Sequence, residues 1–259
     1  MFACTYLVEV LTPKRIDSDD IMDKINLFAE RYYRILDLSL GISVPDNPMG
    51  QPRFSLLEMI KRADLPIKPE EIVMNLNTFH TKEELDGLLK KAAEMGLKYL
   101  LVIRGDGGPN LSKLDPKSIG GAKNIATSVD LLRYINTEYN GKFITGCACN
   151  HYNPLPSELN RLREKIEAGA KFVVTQPVIG KDPNIHPIFG FGIPVVIEAW
   201  MSKNLELLFK SVRKEVDERA KDYEPIDNLR SLHEAYPDSC IYLSMLEFKK
   251  QWSEILPKL

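Results

Sequence analysis

The chain has 259 residues, 44% hydrophobic and 27% charged, with a formal net charge of −2 at pH 7. That length buries a large core without disulfides or metals to staple it. Near-neutral charge gives no bulk attraction for nucleic acid or an anionic membrane, which points to a small-molecule partner. The four cysteines, Cys4, Cys147, Cys149 and Cys240, form no C-x-x-C pair, and no apolar run reaches membrane-span length. The first residues, Met1-Phe2-Ala3-Cys4-Thr5, lack a basic segment followed by an apolar one, so no secretory leader is read and a thiol-reduced, cytoplasmic protein is expected. Little chain precedes the first apolar run and no fused regulatory domain is expected, so residues 1–259 are read as one catalytic domain.

In chain order, "TYLVEVL" (5–11) predicts a strand, followed by a helix from Ser18 to about Leu36, whose Ser-Asp-Asp start suits an N-terminal cap. "LDLSLGISV" (36–44) predicts the second strand, "RFSLLEMIKRA" a helix and "EIVMNLN" (71–77) the third strand. "TKEELDGLLKKAAEMG" predicts a helix that Thr81 caps and Gly96 ends, before the fourth strand, "YLLVIRG". A helix near 124–139, strand 142–149, helix 157–168 and strand 171–176 continue the alternation. A short sixth helix, strand 194–200, a helix over 202–220, a polar segment 221–238, an eighth strand at 240–246 and a closing helix, "FKKQWSEIL", complete it. Eight strand-then-helix units predict an α/β fold of the (β/α)8 TIM-barrel type rather than an open doubly wound sheet.

In such a barrel the chemistry sits where strands end. That rule selects Glu9 on strand one, Asp46 and Asn47 after strand two, Asn75 and Asn77 on strand three, and Arg104, Gly105 and Asp106 ending strand four. It also selects Asn150, His151 and Asn153 after strand five, Gln176 closing strand six and Glu198 on strand seven. Bland readings compete with these. Arg104 and Asp106 can be a strand-end ion pair, Asn47, Asn150 and Asn153 lie beside prolines where asparagine forms turns, and Cys147 and Cys149 suit core packing. His80 and His151 each lack a second ligand at metal spacing. Glu9 differs because Leu7, Val8, Val10 and Leu11 flank it, which predicts partial burial and a proton held into the general-acid range.

Three motifs in order, "VEVLTPKR" (8–15), "LLVIRGD" (100–106) and "IEAGAKFVVTQ" (166–176), resemble the methylenetetrahydrofolate reductase family of flavin-dependent (β/α)8 enzymes. "SVPDNP" and "SVDLLRYI" resemble its second-strand end and fourth helix. The resemblance implies that Glu9 is the acid that opens the five-membered ring of methylenetetrahydrofolate. It implies that Arg104, Gly105 and Asp106 line a flavin, that Asp106 also meets the pterin, that Gln176 bonds the folate and that Lys165 approaches the flavin phosphates. Asn75, Ser128 at the head of "SVDLLRYI", Cys149 and Asn153 fall at further cofactor-binding positions.

The chain also departs from the family pattern. Cys149 stands where the family has tyrosine, Asn153 and Asn75 where it has histidine, Arg161 and Glu164 where it favours asparagine and arginine, and Leu246 where an arginine is expected. The resemblance therefore implies FAD as cofactor with altered contacts, NAD(P)H as electron donor and a folate-type substrate. Two alternatives stay open: a flavin-free reductase taking hydride directly from a nicotinamide, and a non-redox pterin-binding barrel or a subunit that needs a partner carrying iron–sulfur electrons; the expected protein partner is a second copy of the chain or such an electron-donating subunit. The cysteines are too few and wrongly spaced to hold a four-cysteine cluster.

Overall fold

Each apolar run pairs in parallel with the next along the chain, and the eighth pairs back to the first. The computed structural model describes residues 5–16, 19–215 and 222–244. Its strands are β1 (Tyr6–Glu9), β2 (Gly41–Val44), β3 (Ile72–Leu76), β4 (Tyr99–Val102), β5 (Ile144–Cys149), β6 (Phe172–Thr175), β7 (Val195–Trp200) and β8 (Cys240–Ser244). They form a closed barrel in sequence order. The helices are α1 (Ile21–Asp37), α2 (Leu56–Arg62), α3 (Lys82–Glu94), α4 (Ser128–Glu138), α5 (Leu155–Glu167), α6 (His186–Phe189), α7 (Leu205–Ser211) and α8 (Pro225–Ala235). The architecture is the expected (β/α)8 barrel, and none of the described helices is long and apolar enough to cross a membrane.

Because strand side chains alternate, each strand serves two cores. Leu7, Val73, Leu101, Val174, Val196 and Tyr242 point inward and fill the barrel. Their neighbours in sequence, such as Val8, Met74, Leu100, Val102 and Val173, point outward and pack under the helices. Gly146 supplies the space for one inward ring: a Cβ there would lie 2.2 Å from Phe172, which is fully buried. Helix starts are fixed by reciprocal side-chain and backbone bonds at Ser55 and Glu58, Thr81 and Glu84, and Thr127 and Asp130. Each such cap is worth about 1 kcal/mol.

Some boundaries differ from those predicted, for identifiable reasons. In "LDLSL" the apolar residues alternate as in a strand, yet Ile35 and Leu36 continue the buried stripe of Ile25, Phe28 and Tyr32, so α1 runs to Asp37. Ser39, at φ 55°, then turns the chain into β2, which starts only at Gly41. α1 begins at Ile21 after Asp20, and Ser18 lies outside the described residues. α7 ends at Ser211, shortly before Arg213 adopts φ 56°.

The largest difference is α8, which occupies the segment read as polar. Pro225, Leu229 and Leu232 are its buried apolar residues, and Asn228, although polar, is also buried. Asn228 accepts a hydrogen bond from Gly180 N at 2.7 Å and donates to Val178 O at 3.1 Å, pinning the loop after β6. The eighth strand is present through Ser244, whereas Leu246 and the expected closing helix fall outside the described residues.

Gly146→Ala forces its Cβ into Phe172 and is expected to cost about 1–3 kcal/mol, by analogy with overpacked cores. Denaturant unfolding of this variant and of the Gly146→Ala, Phe172→Leu double variant checks this: the smaller side chain at position 172 should return part of the loss, and equal destabilisation of both variants would refute the contact.

Candidate active site

Above the apolar layer formed by Leu7, Val73, Val174 and Val196, the inward side chains of four strands turn polar. Glu9 stands two residues beyond inward-facing Leu7, Asn75 two beyond Val73, Gln176 two beyond Val174 and Glu198 two beyond Val196, so all four share the lumen side. Backbone pairing supports these positions. Gln176 N donates to Cys149 O at 3.0 Å, extending the β5–β6 ladder, and Glu198 N donates to Thr175 Oγ1 at 3.0 Å.

The Tyr242 hydroxyl donates to Glu9 Oε2 at 3.0 Å, and Ser43 Oγ donates to Asn75 Oδ1 at 3.1 Å. Burial pushes the Tyr242 phenol well above its ordinary range, and the charges of Glu9 and Glu198 push it further, so it remains a neutral donor. Burial also pushes the Glu198 carboxyl up to about 8, opposed by a hydrogen bond from Ser244 and reinforced by the charge of Glu9. Arg53 brings positive charge toward Glu9, burial pulls its pKa down, and its Nε is buried without a hydrogen-bond partner among the described residues. Tyr242 and Arg53 escape sequence reasoning because only barrel closure and a loop contact bring them to Glu9.

The loop after β4 does not form the ion pair weighed for Arg104 and Asp106. Both side chains are exposed, and Asp106 Oδ2 instead accepts from Met49 N at 2.9 Å, tying this loop to the one after β2. Arg104 O accepts from Thr78 N at 3.2 Å and Thr78 Oγ1 at 2.9 Å, which ties it to the loop after β3. Gly105, at φ 79°, passes so close to Asn77 that a Cβ would lie 2.6 Å from the Asn77 Cβ. No other residue type fits there without strain.

Asp46 organises the neighbouring rim. Its Oδ2 accepts from Asn77 N at 2.9 Å and pairs with His80 Nε2 at 2.7 Å, while its Oδ1 accepts from Asn47 Nδ2 at 3.0 Å. Burial pulls the His80 pKa down, but the hydrogen bond and charge of Asp46 outweigh it and leave the pKa raised. His80 therefore has a carboxylate partner that its sequence neighbourhood does not reveal.

After β5, buried Glu158 accepts from Asn150 N and Asn153 Nδ2, both at 3.0 Å, so these asparagines shape a turn. Lys165 Nζ donates to Ala148 O at 2.6 Å. Ser128 is buried in the first turn of α4. Cys147 and Cys149 face the outer, helix-covered core, where burial raises both thiols to about 12. His151 is fully buried with Asp182 Oδ2 at 3.6 Å, and burial pulls its pKa down to about 4, leaving a neutral imidazole. The structure thus gathers Glu9, Asn75, Gln176 and Glu198 in the mouth and Arg104 to Asp106 on its rim. Lys165, Asn153 and Cys149 are engaged within the protein or turned outward. The surface hollows lined by Lys90, Glu138 and Tyr139 lie on the outer wall between α3 and α4, away from this polar set.

A parallel barrel with polar strand ends defines a broad class of enzymes and binding proteins. Within that class, the family described as methylenetetrahydrofolate reductase matches residues 4–184, and the chain belongs to it. Methylenetetrahydrofolate reductase 1 of Schizosaccharomyces pombe is 32% identical over 135 residues, covering 46% of this chain and 22% of that protein. A probable methylenetetrahydrofolate reductase (NADPH) of Caenorhabditis elegans is 34% identical over 93 residues, covering 34% of this chain and 13% of the other. The matched segments thus span about a fifth or less of those relatives. Among solved structures, an uncharacterized Clostridium thermocellum protein that binds two copies of 5-methyl-5,6,7,8-tetrahydrofolic acid superposes with a TM-score of 0.63. That pair shares 11% identity, over 98% of this chain and 93% of that one. A dihydropteroate synthetase structure superposes at 0.51, with 11% identity over 99% of this chain and 94% of the other. At such identities the superpositions show the fold.

The His80–Asp46 pair carries a pH signature. A raised histidine pKa contributes stability that is complete below the unfolded value of about 6.5 and is lost as pH rises through the folded value. Denaturant unfolding of wild type and His80→Gln across about pH 5–9 should show the wild-type advantage shrinking over that window, and a pH-independent difference would contradict it.

Proposed function

We propose that the chain reduces a methylenetetrahydrofolate-type substrate to the 5-methyl form. The observation that carries this reading is Glu9: a half-buried carboxyl inside the barrel mouth, held by Tyr242, in a chain of this family. In this reading Glu9, when protonated, gives its proton to the bridging nitrogen of the substrate, the ring opens, and a 5-iminium cation forms. Asp106 stands at the rim as the carboxylate that meets the positive charge, its position fixed by Met49 N. Gln176, two residues beyond an apolar lumen residue, orients the pterin by hydrogen bonds. The hydride then reaches the methylene carbon, and the product leaves as the 5-methyl compound.

The rim of β4 fits a flavin. The exposed Arg104 guanidinium offers a forked donor, and Gly105 presents backbone with no Cβ to hold a flat ring away. Arg104, Gly105 and Asp106 would hold it there, and bound flavin, once reduced by NAD(P)H, would supply the hydride. Lys165 and Asn153 would have to leave Ala148 O and Glu158 to reach a phosphate or ribose, and those engagements favour a second reading: direct transfer from NAD(P)H with no flavin.

The absorption spectrum of protein purified without added cofactor separates the two. The flavin reading expects a yellow preparation, or one that takes up FAD in preference to FMN; a colourless protein that reduces methylenetetrahydrofolate with NADPH alone would establish the direct route.

The roles of Glu9 and Asp106 separate by substitution. Glu9→Gln should abolish methylene reduction with little loss of substrate affinity, because the shape is kept and the proton is not. Asp106→Asn keeps an acceptor for Met49 N, so the melting temperature should hold while the rate falls by about two to three orders of magnitude, the usual loss for one preorganised electrostatic group. A fall in stability at an unchanged rate would make Asp106 a loop tie only.

A further inference from the structure

We propose that Glu198 is a positioning residue for Glu9: the two carboxyls flank Tyr242 and act as a pair that holds one proton, so that Glu9 can serve as an acid at neutral pH. This rests on the role of Glu9 proposed above.

The geometry comes from two strand registers. β7 sets Glu198 beside Tyr242, and β8 sets Tyr242 beside Leu7, one inward position below Glu9. The two carboxyls therefore approach one phenol from the strands on either side of β8. Tyr242 spends its proton on Glu9. Ser244, the next inward residue of β8, donates its hydroxyl to Ala199 O at 3.2 Å and lies within hydrogen-bonding reach of Glu198, and the Thr175 hydroxyl on β6 accepts from the Glu198 backbone. Arg53, from the loop after β2, adds positive charge on the Glu9 side, and Ser43 on β2 lies within hydrogen-bonding reach of the phenol.

Two carboxyls that feel each other's charge in a half-buried site do not both ionise readily. The unequal surroundings put the resting proton on Glu198, whose carboxyl is pushed up to about 8 by burial, while Tyr242 and Arg53 favour charge on Glu9. The proton belongs to the pair. When it occupies Glu9, the anion left on Glu198 raises the proton affinity of Glu9. Transfer from Glu9 to a substrate nitrogen leaves two adjacent carboxylates, and that repulsion favours uptake of one proton from solvent, which closes the cycle with protons balanced. A purely structural Glu198 would have no such link to the acid.

The test joins an infrared titration of protonated carboxyl groups to a pH–rate profile, on wild type, Glu198→Gln and Glu198→Asp, with melting temperatures as a check on folding. Wild type should keep a protonated carboxyl at pH 7 that disappears as pH rises through about 8, and Glu198→Gln should lack it. Without the neighbouring carboxylate Glu9 gives up its proton at lower pH, so the ratio of Glu198→Gln rate to wild-type rate should fall about tenfold between pH 6 and 8, one unit of displaced titration. Glu198→Asp should restore part of the alkaline activity. An infrared signal unchanged in Glu198→Gln, or a rate loss equal at every pH, overturns the pair. If wild type reduces no methylenetetrahydrofolate at any pH, the proposed function fails, and the infrared arm still decides whether Glu9 and Glu198 share a proton.

Discussion

Closure of the barrel between β8 and β1 is the constraint from which the site follows. Without the pairing of Leu7 with Tyr242 the sheet would have two open edges, and the row of inward residues would have no fixed rotation about the barrel axis. With it, alternation settles each strand end. Whatever stands two residues beyond the last apolar lumen residue lies over the mouth, and a register slip of one residue would turn Glu9 and Glu198 under the helices. The cost of burying a bare carboxylate there enforces the register from the polar side, as the packing of Leu7 and Val196 does from the apolar side.

The rim obeys a different rule. Arg104, Gly105 and Asp106 look like three residues chosen for a ligand, yet their backbone and carboxylate first join three loops. Arg104 O holds the loop after β3, Gly105 crosses over Asn77, and Asp106 reaches the loop after β2. A glycine between the charged residues is what lets the chain turn at positive φ against Asn77. The same contacts that keep the loops in place fix where the Asp106 carboxylate stands at the rim. Asp46 does comparable work two loops earlier, with His80 as its partner.

Much of the fold was legible because its signals are local and repeated: apolar runs of strand length, a helix capped at Thr81 and ended by Gly96, and chain-order alternation. The barrel mouth was legible in part. Glu9, Asn75, Gln176 and Glu198 follow from strand ends plus period two. Tyr242 did not, because it resembles any core aromatic until β8 meets β1, and Arg53 did not, because it reaches the mouth from a loop. The helix α8 was hidden by composition: in Pro225–Ala235 the buried face contains Asn228, whose value lies in two bonds to a distant loop rather than in hydrophobicity. His80 looked solitary because Asp46 is 34 residues away in sequence.

The region matched to the family ends at residue 184, and this boundary separates Glu9 and Arg53 from the groups that β7 and β8 bring beside them. Glu9, Arg104, Asp106 and Gln176 lie inside it; Glu198 and Tyr242 lie beyond it, on β7 and β8. A motif can therefore persist while the groups that set its proton affinity change, since the strands contributing them are distant in sequence and adjacent only through closure. In this chain the acidic residue at the end of β1 works beside a second carboxyl and under a phenol that donates to it. A strand-one glutamate in a barrel with an apolar β7 end would face burial alone. That side chain would then lack the charge interaction that links Glu9 and Glu198 here, where burial is the larger influence on the Glu198 carboxyl and the charge of Glu9 the smaller.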